Sequence, residues 1–364
     1  MKKFPLFLAI ILIVSLLTGC AGTPVVYYTE CTCPANSHVE TPVVTPTEAP
    51  AADVTLTEGA LKTGLAISTS VSGSKSAAAD ADGEAKSDVL MAAVLVDDHG
   101  VIQACIIDGI SSSITFNAAG EITSDLSVGP QTKNELGDNY GMRVASSIQA
   151  EWNEQVAAIA EFAVGKTVEE LENGAVSETG KAPEGSDLAT SATMYTGSYV
   201  DIVKKAVANA QHLGAQSSDT LKMATITGVG DSASATAENA GNAQLNVDVT
   251  ALTMNGDVIT SCYIDAVQAK VAFDAAGAVT SDVTVPVTTK NEQGYDYGMV
   301  KIAYAKAEWF EQAASFAAYV TGKTAEEVAG IAITEATKPA EADLAATVSI
   351  SVIGFMNLIV KACQ

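Results

Sequence analysis

The sequence predicts an α+β protein of two tandem homologous domains, each a mostly antiparallel sheet with packed helices. Three observations lead there. Four motifs recur 157 residues apart: Thr132-Lys133-Asn134 and Thr289-Lys290-Asn291, Tyr140-Gly141-Met142 and Tyr297-Gly298-Met299, Glu151-Trp152 and Glu308-Trp309, Gly165-Lys166-Thr167 and Gly322-Lys323-Thr324. Each copy opens with β-rich runs broken by turn signals. Each closes with segments whose apolar residues repeat at helical spacing. A repeat of this length is an ordinary domain rather than a solenoid unit, so domains are expected over residues 58–210 and 220–364.

The β-rich part of copy one reads "VLMAAVLVDDHGVIQACIID", with a turn signal at "DHG", followed by "SITFNAAGEIT". Copy two reads "VDVTALTMNGDVITSCYID", with "NGD", followed by "KVAFDAAGAVT". These runs are expected to form antiparallel hairpins. Cys105 and Cys262 fall at the same strand position, where a matched thiol serves as a small core hydrophobe. An interdomain disulfide would require the two sheets to meet there.

A loop containing "TKNELGDNYGM" or "TKNEQGYDYGM" comes next. Tyr140/Tyr297 and Met142/Met299 pin it to the core if its role is architectural. If it contacts a ligand, Lys133/Lys290 face a phosphate or carbonyl and Asn134/Asn291 donate hydrogen bonds. Its acidic residues match no EF-hand spacing, which argues against calcium.

The first long helix carries Trp152, Val156, Ile159 and Ala163, matched by Trp309, Ala313, Phe316 and Val320. Their spacing of i, i+4, i+7, i+11 makes one apolar stripe. Gly165 and Gly322 stand where a helix end favours a left-handed residue. Thr167 to Glu170 and Thr324 to Glu327 read as capping boxes opening a second helix. A last helix uses Tyr199, Ile202, Val203 and Ala206, or Phe355, Leu358, Ile359 and Ala362.

Ahead of the domains, Lys2 and Lys3 precede an apolar run from Phe4 to Leu17, ending in Leu17-Thr18-Gly19-Cys20. The run is short of the roughly 20 residues a membrane span needs, so residues 1–19 are expected to be a secretory signal. The L-T-G-C ending is a bacterial lipoprotein box, making Cys20 the acylated first mature residue and the lipid anchor. A secreted soluble protein with a chance Cys is the alternative. Residues 20–57 hold five of the ten prolines among Thr, Val, Ala and Glu and read as a semi-extended tether. No second long apolar segment follows, so the rest is expected on the extracytoplasmic face, anchored rather than spanning.

The chain has 19 Lys and Arg against 43 Asp and Glu, a formal charge of −24. Such a surface repels nucleic acid, which is excluded as a partner. Six cysteines scattered over anchor, tether, strands and C-terminus do not make a disulfide framework, and Cys31-Thr32-Cys33 is a weak redox or metal signal. The three histidines, His38, His99 and His212, form no spaced ligand set, which argues against a metal centre or a His-based triad.

Between the second and last helices of copy one stand Asp187, Leu188, Ala189, Thr190, Ser191, Ala192 and Thr193. This stretch resembles the D-x-x-[ST]-G-A-[ST] motif of exported lipoproteins with FMN-binding domains, including tandem-domain carriers of extracellular electron transfer, with Ser191 at the Gly position. The resemblance implies that Thr193 carries FMN through a phosphoester set by a flavin transferase, with Asp187, Thr190, Ser191 and Ala192 completing the cofactor motif. In copy two Asp343 is kept and Ser349 falls at the acceptor position. Val348 and Thr347 depart from the motif, and flavinylation is not expected there. Tyr195 and Tyr199 would offer faces for a flavin ring, and a helix N-terminus would favour the phosphate. The function implied is an extracytoplasmic electron relay acting with redox partners, a carrier rather than an enzyme with its own catalytic constellation. The alternative is a non-redox surface lipoprotein that uses these hydroxyls as caps and binds a ligand or partner, or serves as a spacer.

Overall fold

The computed structural model describes residues 59–303 and 305–364. Cys20, the signal, the tether, and Cys31 and Cys33 lie outside the described residues. The first copy contains strands β1 (Lys62–Ser70), β2 (Gly83–Val96) and β3 (Ile102–Phe116). Its helices are α1 (Lys133–Leu136), α2 (Trp152–Ala163), α3 (Val168–Ala175), α4 (Asp187–Ser191) and α5 (Gly197–Ala208). The second repeats this order with one added helix, α7: β4 (Thr220–Gly228), β5 (Gly241–Asn255), β6 (Val258–Phe273), α6 (Lys290–Gln293), α7 (Met299–Ala303), α8 (Trp309–Val320), α9 (Ala325–Ala329), α10 (Ala342–Thr347) and α11 (Ile353–Ala362). The protein is therefore α+β, with two antiparallel three-stranded sheets ordered β1-β2-β3 and β4-β5-β6, each with its own helices.

The long apolar run of β2 follows from its place. As a central strand covered on both faces it needs apolar residues at consecutive positions, and Met91 to Val96 are all buried. One face of each sheet meets the other sheet: Ile67, Val89, Met91 and Ile110 share a core with Val247, Val249 and Val267. The opposite faces take the helices. Trp152, Val156, Ile159 and Ala163 bury against the first sheet, and Trp309, Ala313, Phe316 and Val320 against the second, as their spacing predicts. The layers therefore run helices, sheet, sheet, helices.

Gly165 and Gly322 have φ of 78° and 87° after the first long helix, and Thr167 and Thr324 accept from the N–H of Glu170 and Glu327 in full capping boxes. Two expectations change. "SITF" does not begin a new hairpin, because it continues β3 to Phe116. The following Asn117-Ala118-Ala119-Gly120 turn returns only a single bridge at Ile122. Strands β1 and β4 were not legible: "KTGLAISTS" and "TLKMATITG" have modest apolar content, and they become strands by pairing with β2 and β5 along their full length. Cys105 and Cys262 are free thiols on β3 and β6, each pushed up to about 12 by burial.

Candidate functional site

The site of the first half lies where α1, α2 and the segment ahead of α5 converge. "TKNE" forms one helical turn, with Thr132 accepting from the Glu135 N–H and the Glu135 carboxylate accepting from Thr132 N. Asn134 is used up in holding this turn to β3: its amide nitrogen donates to the Ile107 carbonyl at 2.9 Å and its backbone N–H to Asp108 Oδ1 at 3.1 Å. Asn291, Ile264 and Asp265 repeat the arrangement at 3.0 and 3.1 Å. The asparagines of the repeated loop are thus architectural, and the half-buried lysines beside them are left to lie over aromatic rings.

Lys133 Nζ sits 5.1 Å from the ring centroids of both Tyr140 and Trp152. Trp152 is held by a hydrogen bond of 2.9 Å from its indole nitrogen to the Tyr199 hydroxyl. Ahead of it the buried Glu151 carboxylate accepts the backbone N–H groups of Met142 and Arg143 at 2.8 and 3.0 Å, closing the loop over the site. The repeated Glu-Trp pair is therefore one device, a carboxylate that fastens the loop and a ring that forms the wall. Lys181 Nζ lies 5.0 Å over the Tyr195 ring. Among the described residues neither Lys133 nor Lys181 is ion-paired, although the protein is strongly acidic.

These groups line a cleft of about 570 Å³ whose walls include Tyr140, Trp152, Tyr195 and Tyr199, with both lysines and the Thr193 side chain. Small-molecule sites commonly fall in this range of volume. Thr193 is half-buried, and its N–H and hydroxyl both donate to the Gln155 side-chain oxygen, at 2.9 and 3.2 Å.

The other residues of the sequence motif are distributed differently. Asp187, Thr190 and Ser191 stand exposed on α4, outside the cleft lining, and the Thr190 and Ser191 hydroxyls donate back to the Asp187 carbonyl. Ala192 is buried beneath the turn. Thr193 follows the end of α4 and precedes α5 by four residues, because a bridge between Lys181 and Tyr195 intervenes. It is neither a cap nor at a helix entrance, so helix-dipole support for a phosphate there does not apply. Tyr199 is mostly buried in the core and forms a wall, whereas Tyr195 is 67% exposed and offers an open ring face.

The second half keeps the frame and changes the charge. Ser349 donates its N–H and hydroxyl to the Gln312 oxygen at 2.7 and 3.2 Å. Lys290 lies 4.8 Å over Trp309 and 5.4 Å over Tyr297. In the strand register Asp248 stands opposite Ala266 where the first half has Leu90 opposite Gly109. Burial lowers the pKa of Lys290, and the charges of Asp248 and Asp265 oppose that shift. Burial raises Asp248, and the Lys290 charge opposes it. The half-buried Asp248 therefore adds a carboxylate to the second half where the first half has Leu90, and Ser351 replaces the Tyr195 ring.

A larger cavity of about 670 Å³ lies between β6, α8 and residues 211–213, lined by Leu213, Cys262, Tyr263, Phe310 and Ala318 among others, with no lysine or arginine. Sequence reasoning missed Gln155 and Gln312. The available signal was their recurrence at the repeat offset beside an apolar helix stripe, where a buried amide needs dedicated partners. Among the described residues no group of three or more His, Cys, Asp and Glu side chains is placed to hold a metal ion. Comparisons with protein-family models, with curated proteins and with solved structures found no match to this chain.

Proposed function

We propose that the protein is a lipid-anchored extracytoplasmic flavoprotein, carrying FMN through a phosphoester on Thr193 and relaying electrons between redox partners outside the membrane. The observation that carries the reading is the placement of the Thr193 hydroxyl in the wall of a cleft that joins aromatic rings to two unpaired lysines. The residues fit the group. Tyr195 supplies an exposed ring face for stacking. Lys133 and Lys181 supply positive charge for a phosphodiester or a reduced, electron-rich ring. FMN, when bound, supplies the one- and two-electron chemistry, and the chain supplies position and electrostatics. The anchor and reach rest on the L-T-G-C box at Cys20 and the proline-rich tether.

The charge of Asp248 near Lys290, at a place where the first half has Leu90, favours a different role for the second half, that of a structural partner carrying no anionic cofactor. If the first half behaved alike, the protein would be a non-redox surface lipoprotein that binds a partner or acts as a spacer. The deciding experiment is the intact mass and visible absorbance of the acid-denatured mature protein from its own host, beside Thr193→Ala. Flavin retained on the denatured wild-type chain and lost in the variant is expected. An unmodified chain from cells that possess a flavin transferase would overturn the electron-relay reading.

A further inference from the structure

We propose that Gln155 is a positioning residue that presents the Thr193 hydroxyl for covalent attachment. The inference rests on the flavin reading and assigns a residue to it that lies outside the motif. Gln155 sits in α2 with no exposed surface. Its side-chain nitrogen donates to the Ala150 carbonyl at 3.1 Å and to Ser146 Oγ at 3.2 Å. Those two acceptors fix which end of the amide faces Thr193. The oxygen then receives the Thr193 N–H and Oγ–H together.

A threonine hydroxyl otherwise rotates between staggered positions, and each wrong position points the oxygen away from an incoming phosphorus. With the proton directed at Gln155, the Thr193 Oγ lone pairs are turned from α2 toward the cleft. In the attachment step Oγ attacks the phosphorus of the FMN moiety of FAD. An Oγ–P bond forms, the P–O bond of the pyrophosphate bridge breaks, AMP leaves, and the hydroxyl proton is released to solvent. A carboxamide is no base, so Gln155 contributes orientation and takes no proton. Holding a reacting group in line is a source of rate in its own right.

The second half provides an internal control. Gln312, equally buried, makes the same pair of bonds to Ser349. Gln312 donates to the Ala307 carbonyl as Gln155 does to Ala150, but its oxygen also accepts the Ile350 N–H at 3.2 Å, and it has no counterpart of the Ser146 bond. Replacing either glutamine by Met therefore removes a comparable set of hydrogen bonds, and the thermal midpoints measure how far the structural cost differs.

The test is a time course of covalent flavin incorporation into the mature chain by a purified flavin transferase with FAD, read by intact mass, with thermal midpoints measured in parallel. Gln155→Met is expected to slow incorporation about tenfold, and Gln312→Met to leave the rate within about twofold of wild type at a comparable midpoint. Gln155→Asn keeps an amide but withdraws its oxygen by one methylene, and the same slowing is expected; it carries the test if the Met variant does not fold. Incorporation into either Gln155 variant at the wild-type rate, or equal slowing by Gln312→Met, overturns the assignment while the flavin reading stands. Absence of flavin from the wild-type chain overturns both.

Discussion

Lys133 and Asp265 are single side chains whose environments set measurable consequences. Lys133 hangs over two rings without a carboxylate partner, so its charge is available to a ligand. Lys133→Met, made in a Thr193→Ala background to keep binding reversible, is expected to weaken FMN binding about tenfold, the equivalent of one charge-assisted hydrogen bond. Lys290→Met in the same background is expected to leave it unchanged. Flavin fluorescence quenching at two salt concentrations checks both. Asp265 is 5% exposed, and burial raises its pKa from 3.8 to about 6 against the opposing hydrogen bonds from Thr289, Asn291 and Ala266. A folded-state pKa above the unfolded one means that the folded chain binds the proton more tightly. That contribution is complete below about pH 4 and is lost as pH rises through 6, a change of about 3 kcal/mol. Asp265→Asn keeps an oxygen acceptor and cannot ionise, so its stability relative to wild type is expected to grow by 2–3 kcal/mol, roughly, between pH 4 and pH 7.5. Urea melts at the two pH values test this, and a pH-independent difference would refute it.

At the scale of elements, local chemistry was legible where a residue type answers a backbone need. The capping boxes at Thr167 and Thr324 and the left-handed glycines at 165 and 322 formed as their spacing requires. Thr167→Ala is expected to cost about 1 kcal/mol through the orphaned N–H groups of α3, measurable by thermal unfolding. Strand β1 was not legible because its buried run, Thr63 to Ile67, is built partly of Thr, Gly and Ala, so no strong apolar alternation marks it. Gly83 shows why β2 begins as it does: a Cβ there would fall 2.4 Å from Phe116 Cε2, and one on Gly241 would fall 2.3 Å from Phe273 Cε2. Gly83→Ala is expected to destabilise by about 1–3 kcal/mol by overpacking, visible as a lower thermal midpoint. The motif stretch illustrates the opposite case. Asp187 to Ser191 are placed by sequence only between two helices, as cofactor motif or caps, yet they wind into α4 and the Thr190 and Ser191 hydroxyls donate to the Asp187 carbonyl.

The two halves of the described chain belong to one compact unit. Phe116 and Phe273 stack with centroids 4.0 Å apart and planes within 5°. The last helix of each half reaches to the other: Lys205 Nζ, held by the Ile67 carbonyl of its own half, contacts Glu292 at 2.6 Å, and Lys361, held by the Thr225 carbonyl of its own half, pairs with Glu135. Glu135 and Glu292 are the capping residues of the turns that carry Lys133 and Lys290, so each site is braced by the opposite half. The halves are therefore expected to unfold together. Each contains one of the two tryptophans, so single-Trp variants report on them separately. Coincident urea midpoints are expected, and Phe273→Ala is expected to lower both by about 3–5 kcal/mol in stability. Two separated transitions would show independent domains.

The sequence by itself determined the α+β class, the duplication, and the helix stripes and caps, because these depend on periodicity and on short-range backbone requirements. Thr193 entered as a candidate acceptor only through the resemblance of its motif to a family. Only the tertiary structure decided that the sheets share a core, that Lys133, Lys181, Trp152 and Tyr195 surround Thr193, and that Gln155 holds it. Those groups are separated by up to 62 residues in the chain, and nothing local encodes their meeting. Burying both faces of each sheet brings them together, and the strand register puts Asp248 in the second half at the place that Leu90 holds in the first.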